Sequence, residues 1–477
     1  MAPPPTRRNS AAPTRAALPT EPISLCINTQ TPLLQFLMPP QKRELMPPME
    51  GNTDLVGLVE GVDYRYSPGG VTRMVFPLVR RLLESGVLGE TDWISLNPTA
   101  PPMVRFHGVT LHSMALEPSR MANYARVKES IWGAVHGLDS EDPDEAMFWS
   151  PDFSDYGYYN RITAERMRQL DAQHDFDLFY IHDFQQLPVG EMLDTLKPKL
   201  FRWHIPFDEG QIPRPWKEQL SRYLNSYDVV VVSTSGYLKE LQAFGHTGEA
   251  RRIYPYVDPS DFSRPSPEAA EAICRRHGLS AEQPFVLVVG RMDPMKGQDR
   301  AIRAFASVAG DYPELQLVLV GNGSFSSAGK GLGLSKSSQW RAELEAQVRL
   351  LGLESRVLFT GHVGQSDLDG LYERCEMTLL PSVREGFGLV VVEGWLHHKP
   401  VLVTRRAGVA ELIKDGRNGM VFDPEQPDGL ATKMRKLLES ASLRRRLGTA
   451  GATTARQCSI EAAALAEARL FAEVLES

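Results

Sequence analysis

Two acids, Glu385 and Glu393, bracket the stretch Glu385-Gly-Phe-Gly-Leu-Val-Val-Val-Glu393, and every residue between them is small or apolar. Gly386 and Gly388 permit a sharp, sterically open turn around Phe387. A helix starting at Leu389 would aim free backbone N–H groups at a phosphate. Glu385 then lies in the loop and Glu393 about two turns into the helix, each able to accept hydrogen bonds from sugar hydroxyls. The plainer alternative is a buried strand ending in a glycine turn, with both acids solvated.

A second loop, Gly290-Arg-Met-Asp-Pro-Met-Lys-Gly297, follows the apolar run Phe285–Val289 and precedes the helical pattern Asp299–Val308. In an open α/β sheet, ligands bind beyond the carboxyl ends of the strands. Arg291 can grip a phosphate with two parallel hydrogen bonds, and Lys296 adds a point charge. Taken alone, the pair also fits a solvated basic loop. Its presence in the same half of the chain as the Glu385 segment, both after apolar runs, favours a shared anion site.

The elements that must position these loops alternate: a short apolar run, a glycine-rich or polar turn, then an amphipathic segment, as in parallel strands joined by helices. In the first half the candidate strands are Ile23–Ile27, Leu55–Glu60, Trp93–Leu96, Leu178–Ile181, Leu200–Trp203 and Val229–Ser233. In the second they are Phe285–Val289, Leu315–Val320, Arg356–Thr360, Met377–Leu380, Val401–Val403 and Met420–Phe422. The proline-rich stretch from Tyr254 to Pro265 is too irregular for either element and separates the series. The expected organisation is a tail over 1–22, an N-terminal domain over 23–258, a linker over 259–266 and a C-terminal domain over 267–455, which the resemblance described below makes the acceptor side and the nucleotide-sugar-binding side respectively. A terminal helix over 456–477, able to pack back on the N-terminal domain, completes it. The cleft between the domains is the candidate site. Residues 321–338 read as a mobile Gly/Ser-rich loop.

Composition excludes several classes. The 477 residues suffice for two large cores, and 52 basic against 59 acidic residues, a net charge of -7, give no support for a nucleic-acid binder. Cys26, Cys274, Cys375 and Cys458 lie far apart, which indicates neither a zinc site nor a disulfide framework and fits a reducing cytoplasm. The Pro/Ala/Thr/Arg-rich tail reads as disordered, and no export core follows Arg7-Arg8. No apolar run is long enough for a membrane span. Gly329-Lys330 lacks the Walker A spacing, and Gly321-Asn-Gly323 lacks the third Rossmann glycine, so NTPase and NAD readings fall. Asp175-Phe-Asp177 and Asp367-Leu-Asp369 read as structural rather than metal-binding.

The second half resembles the nucleotide-binding domain of retaining glycosyltransferases with the GT-B fold. The resemblance spans about Pro284 to Pro424. It is carried by Gly290-Arg291 with Lys296-Gly297, Val320-Gly-Asn-Gly323, Glu385 to Glu393, Ala407-Gly-Val-Ala-Glu411 and Asp415-Gly-Arg-Asn-Gly419. It implies an α/β fold of two Rossmann-like, doubly wound domains facing a central cleft. By the same resemblance Arg291 and Lys296 hold the donor diphosphate, Glu385 a hydroxyl of the transferred sugar and Glu393 the ribose. Gly386, Phe387, Gly388 and Leu389 line the donor pocket.

The first half is similar to trehalose-phosphate synthases and related disaccharide synthases at fewer positions. Ser67-Pro-Gly69-Gly70-Val looks like the family's glycine loop near the donor phosphates, with an ordinary turn as the alternative. Tyr180-Ile-His182-Asp183 and Phe201-Arg202-Trp-His204-Ile-Pro-Phe207 match segments in which the histidine contacts the donor sugar and the aspartate lies near the reacting sugars. A buried structural histidine remains the alternative for His204. Phe148-Trp149-Ser-Pro-Asp-Phe153 resembles the acceptor side, where Trp149 offers an apolar face and one N–H donor, or else packs in a core. Arg202 is placed on the acceptor side as well.

The resemblance implies transfer of a hexosyl group, glucosyl by preference, from a nucleotide sugar such as UDP-glucose to a small sugar, polyol or sugar phosphate, with no metal or cofactor. The region after Gly323 shows no counterpart of the family's acceptor-phosphate arginine, which weakens the phosphorylated option. The competing readings are a glycoside phosphorylase on the same fold and a non-catalytic nucleotide-sugar-binding protein.

Overall fold

Val229-Val-Val-Val232 is buried along its whole length, as a strand covered on both faces must be. It belongs to an eight-stranded sheet built from β1 (Ile23–Thr29), β4 (Leu88–Leu96), β5 (Met103–Phe106), β6 (Val109–Met114), β7 (Leu178–His182), β8 (Lys199–Arg202), β9 (Val229–Val232) and β10 (Glu249–Arg252). A separate two-stranded pair joins β2 (Leu34–Phe36) to β3 (Tyr64–Tyr66). The order of the large sheet is β10-β9-β8-β7-β1-β4-β6-β5, parallel throughout except for the β5–β6 edge. The computed structural model describes residues 18–37, 58–67, 70–136, 148–206, 210, 212–280, 283–321, 332–426 and 428–477.

The second sheet comprises β11 (Phe285–Val289), β12 (Gln316–Val320), β13 (Val357–Gly361), β14 (Met377–Leu380), β15 (Val401–Thr404) and β16 (Met420–Phe422), in the order β13-β12-β11-β14-β15-β16 and all parallel. Strand alternation divides each apolar set between two faces. In the first sheet Cys26, Phe179, Ile181 and Phe201 enter one core, while Leu25, Ile27, Leu178, Tyr180 and Leu200 enter the other. Strand order reverses at β7/β1 in the first sheet and at β11/β14 in the second. Such switch points open a crevice at the strands' carboxyl ends, and the loops bearing Asp183, Lys296 and Glu385 leave from β7, β11 and β14.

Several expectations need correction. Leu55–Glu60 is not a strand in its described part: Leu58 and Val59 are irregular and Glu60 makes only an isolated bridge to Tyr64. The expected loop over 321–338 ends early, because a helix already runs over Leu332–Leu350; residues 322–331 lie outside the described residues. The closing helix spans Ile460–Leu475 and packs on the N-terminal sheet, with Ile460, Ala463, Ala468, Leu470 and Phe471 in the core that holds Leu25 and Tyr180. Cys458 O accepts from Val257 N, and Val257 O from Ile460 N, where the chain crosses back.

Candidate active site

In the C-terminal half, Asp293 caps a short turn, Pro294–Lys296, by accepting from Met295 N at 2.9 Å. Gly297 follows with φ 68°, and a Cβ there would lie 2.2 Å from the Pro381 carbonyl oxygen. Only glycine lets the Lys296 loop approach the segment after β14 so closely. Val383 N donates to Met295 O at 2.9 Å and ties the two loops together. Lys296 Nζ donates to Glu385 Oε2 at 2.6 Å, and Ser382 Oγ donates to the same oxygen at 3.1 Å. Arg291 is exposed on the same loop, its carbonyl accepting from Gln298 Nε2 at 2.6 Å.

The turn after Glu385 is as tight as the glycines suggest. Gly388 has φ 102°, and a Cβ would meet Leu380 Cδ2 at 2.7 Å. The helix Leu389–Leu396 starts directly after it, so Glu393 is its fifth residue, little more than one turn in rather than two. Phe387 is buried and Leu389 half-buried. Tyr372 Oη donates to Glu393 Oε2 at 2.8 Å. Burial pushes the Glu393 carboxyl above its ordinary value, partly offset by that bond.

In the N-terminal half, β7 and β8 end side by side, with His182 in register with Arg202. Asp183 leaves β7 in a strained backbone conformation, φ 70° and ψ 162°. Non-glycine residues seldom occupy that region, and such strain concentrates at functional sites. Its carboxyl is buried, and Oδ1 has no hydrogen-bond partner. Burial raises its pKa to about 7, against the lowering effect of bonds from the Phe184 and His204 backbone and the Gln185 side chain. His182 Nδ1 and His204 Nε2 share a hydrogen bond at 3.1 Å, with the rings stacked. Burial first, and then the Arg202 charge, hold His204 well below its usual pKa; His182 is lowered likewise by burial, by His204 and by Arg202. Both rings are neutral near pH 7.

Trp149 stands in solvent at 89% exposure, which removes the core-packing alternative. Phe148 beside it packs on Phe153 and Trp216 instead. Gly69 lies outside the described residues, and Gly70 opens the helix Gly70–Glu84. Arg202 requires correction as an acceptor residue. Its side chain is buried in an ion pair with Glu467 of the terminal helix and donates to Ile253 O at 3.3 Å. A guanidinium pointing into the core could not be left unpaired there.

The two halves meet at the Gly386 turn. Tyr237 Oη donates to Gly386 O at 2.9 Å, and a Cβ at Gly386 would lie 3.5 Å from Pro206 Cδ and 3.8 Å from His204 O. Ser235 N donates to Glu411 Oε2 at 2.8 Å as a second crossing. Lys296, Glu385 and the His204 loop are therefore gathered at one point, with Arg291 on the Lys296 loop and Glu393 on the helix that follows Glu385.

Other quoted motifs turn out to be braces. Asn418 caps Lys414 N and binds Leu412 O, and Asp415 accepts from Val421 N and Lys433. Asp369 accepts from Ser263 N and Oγ, and Asp177 from Ser24 N. Among the described residues, no group of three or more His, Cys, Asp or Glu is placed to hold a metal ion, and no helix is long and apolar enough to cross a membrane. Sequence reasoning missed Tyr372, Tyr237 and Ser382. Of these only Ser382, beside Pro381 at the end of a strand, had a local signal.

Two doubly wound parallel domains with polar loops gathered between their strand ends define a GT-B glycosyltransferase fold. Residues 270–454 match the family described as Glycosyl transferases group 1, and residues 150–239 match the Trehalose synthase, N-terminal domain. The C-terminal domain is thus similar to group 1 glycosyltransferases and the N-terminal one to the corresponding part of trehalose synthases. It is 26% identical over 416 residues to the trehalose synthase of Rubrobacter xylanophilus, covering 85% of this chain and 88% of that one. It is 28% identical over 352 residues to the D-inositol 3-phosphate glycosyltransferase of Corynebacterium kroppenstedtii, covering 69% and 72%. Among solved structures, the UDP-forming α,α-trehalose-phosphate synthase from Burkholderia xenovorans, in complex with glucose-6-phosphate, superposes with a TM-score of 0.68 at 17% identity, over 95% of this chain and 100% of that one.

Proposed function

We propose that the protein transfers a glucosyl group from a nucleoside diphosphate sugar, UDP-glucose by preference, to a small sugar-type acceptor with retention at the anomeric carbon and without a metal. The observation that carries this reading is the Lys296–Glu385 pair, held at 2.6 Å against the turn that touches the His204 loop. A diphosphate entering beside Arg291 competes for Lys296 and leaves Glu385 free to accept sugar hydroxyls. Backbone N–H groups at the starts of the helices Leu389–Leu396 and Gly70–Glu84 add donors for the phosphates. As the glycosidic bond breaks, negative charge grows on the departing diphosphate, and the fixed cations Arg291 and Lys296 stabilise it. The leaving phosphate itself takes the acceptor's proton, so no separate general base is required.

His204 orients the transferred sugar, Glu393 the ribose, and Asp183 a hydroxyl near the reacting centre. Trp149 offers a ring face to the acceptor. A non-phosphorylated sugar is the favoured acceptor, because Arg202 faces Glu467 and is not available to a phosphate. A thermal-shift panel of UDP, GDP, ADP and their glucose conjugates tests the donor. UDP-glucose should stabilise the protein and then support transfer to glucose in the presence of EDTA. Stabilisation by inorganic phosphate alone, with phosphate-dependent breakdown of a disaccharide, would instead establish a phosphorylase.

A further inference from the structure

We infer that Glu467, on the helix that closes the chain, is a positioning residue for recognition of the donor sugar: by holding Arg202 and Tyr180 it fixes the His182–His204 pair. The inference rests on the reading that His204 meets that sugar.

Glu467 is fully buried on a helix face otherwise lined by Ala463, Ala464, Ala468, Leu470 and Phe471. An apolar residue would dock this face as well, since an ion pair inside a core seldom outperforms hydrophobic packing. Packing alone therefore does not call for a carboxylate. Its partners do: Tyr180 Oη donates to Oε1 and Oε2 at 3.1 and 3.2 Å, and Arg202 pairs with Oε1. Tyr180 and His182 share one face of β7, and Arg202 and His204 follow the same alternation along β8 and beyond it. The Tyr180 and His182 ring centroids lie 4.3 Å apart, those of His182 and His204 5.4 Å apart. Contact thus runs without a gap from the terminal helix to the histidine at the domain junction.

Arg202 also acts on both imidazoles by its charge, and Glu467 is the counter-charge that keeps this arginine in the core. A residue downstream of the whole C-terminal domain is in this way built into the wall of the N-terminal one. Sugar recognition then depends on the return of the chain at Val257–Ile460, where the two backbones are bonded to each other.

The test uses the full chain with Glu467→Gln and the double variant Arg202→Met/Glu467→Leu, which replaces the ion pair with apolar volume. Calorimetry gives the ratio of UDP-glucose to UDP affinity, and nitrogen-15 imidazole spectra of the ligand-free protein report the His182 and His204 rings. The expected result is a melting temperature near wild type for the double variant, an unchanged UDP affinity, and a ratio shifted against UDP-glucose by at least about tenfold. The ring signals should move in both variants. A purely structural pair would leave the Glu467→Gln spectra and the affinity ratio of both variants at their wild-type values, and that result overturns the inference. Should Glu467→Gln not fold, the affinity ratio of the double variant carries the test. A wild-type protein that binds UDP but no nucleotide sugar would defeat the donor reading, while the ligand-free spectra would still decide whether Glu467 positions the rings.

Discussion

Replacing Asp183 with asparagine should stabilise the protein in a pH-dependent way. The carboxyl's pKa stands at about 7 in place of 3.8, with burial as the leading cause. At 1.36 kcal/mol per pKa unit, that gap of roughly three makes the ionised group about 4 kcal/mol more costly in the folded than in the unfolded chain. The raised pKa means that the folded state holds the extra proton between about 4 and 7. The penalty is therefore complete above pH 7, and it is relieved as the pH falls through that window. The asparagine side chain would keep the shape and face the same backbone conformation as the aspartate it replaces, yet carry no charge. Urea unfolding of both proteins at pH 5, 7 and 8.5 isolates this residue, because all other titrating groups cancel in the difference. The variant's advantage should approach about 4 kcal/mol at pH 8.5 and fall to roughly 1–2 kcal/mol at pH 5. A difference that does not change with pH would refute the reasoning.

Lys296→Ala should reduce transfer by at least about a hundredfold with little change in melting temperature, because it removes a cation from the leaving-group site but no core contact; steady-state assay and thermal melting check both. Tyr372→Phe removes the donor to Glu393 and should weaken nucleotide binding by about 1–3 kcal/mol, read by calorimetry. Gly297→Ala places a Cβ against the Pro381 carbonyl at positive φ and should lower stability by about 1–3 kcal/mol in denaturant titration while separating the Lys296 and Glu385 loops. Transfer by the wild-type enzyme should decline as the pH falls through about 7, when Asp183 gains a proton and can no longer accept from a hydroxyl as a carboxylate; a rate profile flat from pH 6 to 8 would remove Asp183 from the reaction.

Much of the parallel core could be read from composition alone. Phe285–Val289, Met377–Leu380 and Met420–Phe422 begin and end where their apolar runs do, because strands buried on both faces leave no polar alternation to blur them. The edge strand β10 escaped for the opposite reason. Glu249-Ala-Arg-Arg252 is mostly charged and exposed, and its pairing with β9 is a property of the backbone. Lys296 and Glu385 could be found from glycine turns after strands. Tyr372 and Glu467 could not, since each acts on a residue distant in sequence and sits in an ordinary helical pattern. Arg202 misled for the same reason: a strand-end arginine beside a histidine looks like a ligand contact until the terminal helix brings in its carboxylate.

Proton NMR of a mixture of the protein, UDP-glucose, glucose and EDTA tests the central claim most directly. The account predicts release of UDP together with a new anomeric signal carrying the small coupling of an α linkage, absent with Lys296→Ala. A product with the large coupling of a β linkage, or transfer that stops when EDTA is added, would contradict it.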